Sequence, residues 1–73
     1  MIRCAMDVIA AAIRQSIAQA CTVPVPCSNV DVVLQQAILP HFNVDYVSVP
    51  DGSLDVWGED EMGAQWRIIL HAV

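Results

Sequence analysis

Lysine is absent from this chain, and its only basic residues are Arg3, Arg14 and Arg67. Between Gln15 and Trp66 there is no positive charge at all, while seven carboxylates fall in that stretch: Asp31, Asp45, Asp51, Asp55, Glu59, Asp60 and Glu61. The net charge of -5 is therefore regional. A one-sign field of this kind repels phosphate backbones and anionic membranes, which argues against direct binding of DNA or RNA. Long apolar runs are missing too. Asp7 and Arg14 confine the N-terminal run to Val8–Ile13, too short for the core of an export signal, and the uncharged stretch from Gln15 to Val30 carries Gln, Ser, Thr, Asn and two prolines. The expectation is a protein of the cytoplasm, with no membrane contact.

Cysteine is scarce and odd in number. Cys4, Cys21 and Cys27 match neither a paired disulfide framework nor a CxxC metal or redox motif, so reduced thiols are expected. A Cys21–Cys27 bridge across Thr-Val-Pro-Val-Pro is the alternative. No nucleotide loop and no metal signature occurs, and no cofactor is implied. Cys27 with His41 or His71 offers a nucleophile and a base in principle, but no third group is identifiable by spacing, and so short a chain has little space for a ligand pocket of about 300 Å³. An enzyme is not expected.

The remaining composition is rich: 56% of residues are hydrophobic and 15% charged, which excludes disorder and suits one folded domain over residues 1–73. Ile2, Met6, Ile9, Ile13, Ile17 and Ala20 recur at steps of three and four, predicting a helix over residues 3–21. Pro24 and Pro26 then force an extended connector. Ser28 with Asp31 resembles a capping box, with Asn29 as the alternative cap, opening a second helix that Pro40 ends near Leu39. Beyond His41 the period falls to two, predicting strands at 44–49, 53–57 and 64–72. Pro50-Asp51-Gly52-Ser53 is a tight turn and Gly58–Gly63 a longer hairpin loop. Pairing Val47 with Val56 sets Ser48 against Asp55 and Tyr46 against Trp57; continuing, Val56 meets Trp66 and Asp55 meets Arg67. The predicted architecture is α+β, with two N-terminal helices on one face of a three-stranded antiparallel sheet (ααβββ).

Two helices cannot cover both faces of such a sheet. Tyr46, Ser48, Asp55, Trp57, Gln65, Arg67, Ile69 and His71 would share the open side, and Tyr, Trp and Arg are residue types enriched at interaction hot spots. With the acids at its rim, the candidate partner-binding set is Asp45, Tyr46, Asp51, Asp55, Trp57, Glu59, Asp60 and Glu61. A solvated acidic loop and a stabilising Tyr–Trp pair account for the same residues without a partner, and bare carboxylate clusters without EF-hand spacing bind calcium weakly.

In size, acidity and economy the chain resembles the small phage-encoded anti-defence inhibitors of the anti-CRISPR type, several of which mimic nucleic acid. That resemblance implies a decoy acting by occlusion in a host cytoplasm. Its partner would be a protein with a basic surface, such as a nucleic-acid-binding defence complex. The alternative is a structural or assembly subunit that forms a homodimer or docks into a larger complex, for which Cys4, Val8, Ala11, Gln15 and Ala18 line a small-residue seam on the first helix.

Overall fold

The computed structural model describes residues 6–49 and 51–73, so the readings placed on residues 1–5 and on Pro50 lie outside it. Helix α1 (Met6–Gln19) leads into strand β1 (Thr22–Cys27). A short α2 (Val30–Val33) follows and continues as a π-helical turn (Leu34–Ile38), then β2 (Asn43–Ser48), β3 (Leu54–Glu59) and β4 (Gln65–Ala72). The four strands form one sheet in the order β1-β4-β3-β2. β1 runs parallel to β4; the other pairs are antiparallel.

This corrects the expected ααβββ arrangement, because the segment read as a connector is a strand. Val23, Val25 and Cys27 are buried and alternate with Thr22, Pro24 and Pro26. The Val73 N–H donates to the Cys27 carbonyl at 3.2 Å, so the backbone groups of Val23, Val25 and Cys27 turn toward β4. Those of Thr22, Pro24 and Pro26 turn to the free edge, where a proline nitrogen forfeits no ladder bond. The prolines thus define an edge strand.

α1 ends in a left-handed residue. Ala20 has φ 49°, and the Cys21 N–H reaches back to the Ser16 carbonyl at 3.2 Å, the long bond of a Schellman ending. Alanine pays a steric penalty there that glycine does not. Ala20→Gly should therefore stabilise the fold by about 1 kcal/mol, read as a rise of about 4–8 °C in thermal midpoint. A fall in midpoint would show that the ending is held some other way.

The second helix begins at Asn29, but neither expected cap forms: no side chain hydrogen-bonds the first turn. Widening into the π turn, where the Leu39 N–H donates to the Leu34 carbonyl at 2.9 Å, carries Ile38 fully into the core. α1 contributes Ile9, Ala12, Ile13 and Ser16, a stripe rotated from the expected one, so Met6 is partly exposed. Beneath them lie Val23, Val25, Cys27, Leu54, Val56, Trp66, Ile68 and Leu70 from the sheet's inner face. Among the described residues no helix is long and apolar enough to cross a membrane.

The β2–β3 pairing is the expected one, with Val47 on Val56, Ser48 on Asp55 and Tyr46 on Trp57. The β3–β4 pairing is displaced by two residues: Val56 meets Ile68 and Leu54 meets Leu70. Asp60 explains the displacement. Its Oδ1 accepts from the Met62 N–H (2.9 Å) and the Ala64 N–H (2.7 Å), and its own N–H donates to the Ala64 carbonyl at 2.9 Å. The loop closes at residue 60, and pairing extends to Glu59 on Gln65. A shift of two keeps every side chain on its expected face.

Candidate interaction surface

With both helices on the inner side, no layer among the described residues covers the outer face of the sheet. Across it runs a row of side chains, one from each of three adjacent strands. The Tyr46 ring of β2 lies on the Trp57 ring of β3 with centroids 4.5 Å apart, and the Arg67 guanidinium of β4 sits 5.0 Å from the Trp57 centroid. Both spacings match the distance between neighbouring strands, about 4.8 Å. Trp57 is therefore covered on both sides, whereas Tyr46, at the edge, stays 54% exposed.

Arg67 is held by a fork. Its Nε donates to Asp55 Oδ1 at 2.8 Å and its Nη2 to Oδ2. Although Arg67 directly faces Trp57 in the ladder, Asp55 is reached along the diagonal, so the expected ion pair forms despite the changed register. It is the one ion pair among the described residues. Asp55 is only 6% exposed. The hydrogen bonds from Arg67 hold its carboxyl below the usual carboxylate range, with the nearby positive charge helping and burial opposing. A depressed folded-state pKa contributes stability that is present above the unfolded value, about 3.9, and lost as pH falls through the lower folded value. Asp55→Asn should accordingly flatten the acid limb of a stability–pH curve below about pH 4 while lowering the plateau above it. Parallel acid limbs for the two proteins would assign that loss to other carboxylates.

The candidate acids do not gather into one patch. Asp51 sits in the β2–β3 turn, a left-handed residue (φ 50°) beside Gly52 (φ 79°), at the far end of β3 from the Asp60 loop. Six strand residues separate those ends, about 20 Å. Asp55 is consumed by Arg67, and one oxygen of Asp60 by its own loop. Asp45, Glu59 and Glu61 remain at the loop end of the sheet. The β2 ladder passes from Val44 on Gly58 to Tyr46 on Trp57, which leaves Asp45 as the extra residue of a β-bulge, exposed beside Trp57. Glu59 pairs with Gln65 on the outer face, and Glu61 lines a cleft with Arg14 and His41.

Two residues escaped sequence reasoning. Gly58 has no room for a side chain, because a Cβ there would stand 1.9 Å from the Asn43 carbonyl oxygen. Ser16, 2% exposed, accepts from the Arg67 N–H (2.8 Å) and donates to the Cys21 carbonyl (2.7 Å). The glycine was legible only as part of a loop, and a lone serine in an apolar helix carries no spacing signal.

The cysteine expectation is corrected as well. Cys27 is fully buried and disulfide-bonded, and Cys21 is an exposed free thiol, so no Cys21–Cys27 bridge exists. A bonded sulfur on the inner face cannot serve His71, which lies on the outer face. Open surface clefts of about 650 and 580 Å³ exceed the space expected of so short a chain. No group of three His, Cys, Asp or Glu among the described residues is arranged to hold a metal. Val8, Ala11, Gln15 and Ala18 of the helix seam are all exposed. Comparison with family models, with curated proteins and with solved structures finds no match for this chain.

Proposed function

We infer that the protein is a small binding module that occludes a basic surface of a partner protein, such as one that receives nucleic acid, and acts by contact alone. The observation that carries this reading is the exposed Tyr46 ring, stacked on Trp57 over an uncovered sheet face, with Asp45 raised beside it on a bulge and Glu59 on the same face. A rigid aromatic anchor supplies buried area on docking, and unpaired carboxylates at its rim supply steering toward cations. The footprint is smaller than the full acidic set. Asp55 and Asp60 support the fold, and Asp51 stands apart.

That division makes the test clean. Asp45→Lys, Glu59→Lys and Glu61→Lys together touch none of the internal hydrogen bonds, so the variant should keep the thermal midpoint within a few degrees. It should lose capture of basic partners from a host lysate on the immobilised protein. Capture by the unaltered protein should also fall from low to high salt, as screening demands. A triple variant that retains its partners at full strength would reject the acidic end as the binding surface.

A further inference from the structure

The two edges of the sheet are built differently. β1 turns its prolines outward and cannot accept a neighbour, whereas β2 contains no proline and, among the described residues, is hydrogen-bonded on one side only. At that open edge the row Arg67–Trp57–Tyr46 stops, with the Tyr46 ring exposed and the next position in the row unfilled. We propose that this position is filled by an extended basic segment of the partner, which adds to β2 as a fifth strand and lays an arginine or lysine against Tyr46, beside Asp45. The proposal rests on the binding reading above and names the chemistry of what is bound.

The existing row sets the pattern. Arg67 caps the inner side of the aromatic pair as a cation over a ring, and a second cation one strand spacing beyond Tyr46 would cap the other. Backbone pairing supplies affinity without regard to sequence, and the side-chain position beside Tyr46 selects for positive charge. Charge complementarity decides among occupants. A second copy pairing through β2 would set one Asp45-bearing edge against another, with no basic residue on either strand. Nucleic acid is repelled by the same carboxylates.

The test uses the whole protein and a synthetic peptide of alternating arginine and threonine, about eight residues long, an ordinary strand length. A second peptide of the same sequence carries N-methyl groups on alternate amides, which keeps its charge but blocks ladder bonds. Binding followed by amide exchange should slow the amides of residues 43–48 and leave those of β1 unchanged. Tyr46→Ala should weaken binding about tenfold, the upper range of a partly desolvated cation–ring contact, and Tyr46→Phe should restore it. Equal binding of the methylated peptide, protection at β1, or no binding of the arginine–threonine peptide would each overturn strand addition. If the methylated peptide binds equally and the Asp45, Glu59 and Glu61 reversal abolishes both, the acidic surface stands and the fifth strand falls. If that reversal alters neither peptide binding nor partner capture, both readings fall.

Discussion

Replacing Gly58 by alanine should remove a large share of the stability of this protein. A Cβ at that position would stand 1.9 Å from the Asn43 carbonyl oxygen and 2.9 Å from both the Asn43 carbonyl carbon and Cζ2 of Trp66. No rotamer change relieves a clash with backbone, so β2 itself must move, and Trp66 is packed in the core with Phe42 at its edge. A cost of about 3–4 kcal/mol follows, at the upper end for overpacking. A chain of this length has a total stability of order 4–11 kcal/mol. Gly52 and Gly63 are the controls: both have positive φ, at 79° and 82°, but a Cβ at either meets nothing within 4 Å. Their alanine variants should each cost about 1 kcal/mol, from backbone strain alone. Urea unfolding of the three variants measures the difference directly. Equal midpoints for Gly58→Ala and Gly52→Ala would show that β2 yields freely at the bulge. The same bulge projects Asp45 beside the aromatic row. A variant that survives by flattening it should also bind basic partners more weakly.

The parts of the fold that were legible in the sequence are those set by neighbouring residues. Alternation from Val44 to Ala72 marked β2, β3 and β4, and the Asp51-Gly52 turn, with both residues at positive φ, joins β2 to β3 in the expected register. Tyr46 against Trp57 and Asp55 with Arg67 were accordingly within reach. The β3–β4 register was not, because it depends on one oxygen of Asp60 accepting two amides, which shortens the loop in a way that its glycines do not disclose. β1 was hidden for two reasons. Its prolines read as breakers, although Val23, Val25 and Cys27 already carried the period of a strand. Its partner is also the last strand of the chain, joined to it by no local turn, and proline is tolerated only because that position is an edge. The acidic footprint was overstated for a related reason. Composition counts carboxylates without showing which of them the fold has already engaged, and Asp55 and Asp60 are engaged.

Ser16→Ala should be the second most damaging single substitution among those considered, because one hydroxyl joins three elements. Ser16 sits on the buried side of α1, where the pattern of apolar residues leaves no expectation of a polar group. Its oxygen accepts from the Arg67 N–H of β4 and donates to the Cys21 carbonyl just before β1, so it pins the end of the helix to the start of the β1–β4 pairing. Alanine leaves the Arg67 amide and the Cys21 carbonyl without that partner at a part-buried position, and each group so left costs about 1–3 kcal/mol. The better helix propensity of alanine returns only about 0.5 kcal/mol. A net loss of about 2–3 kcal/mol is expected, or about 10–20 °C in thermal midpoint for a domain of this size. Ser16→Thr is the informative companion. It keeps the hydroxyl and adds a methyl group, so it separates the hydrogen bonds from packing: a midpoint well above that of Ser16→Ala assigns the loss to the hydroxyl. Equal losses for both variants would assign it to the volume of the site instead. Because the Arg67 backbone is one of the two groups tied to Ser16, loosening it should also disturb the guanidinium stacked on Trp57, and the tryptophan fluorescence of the folded variant should report that change.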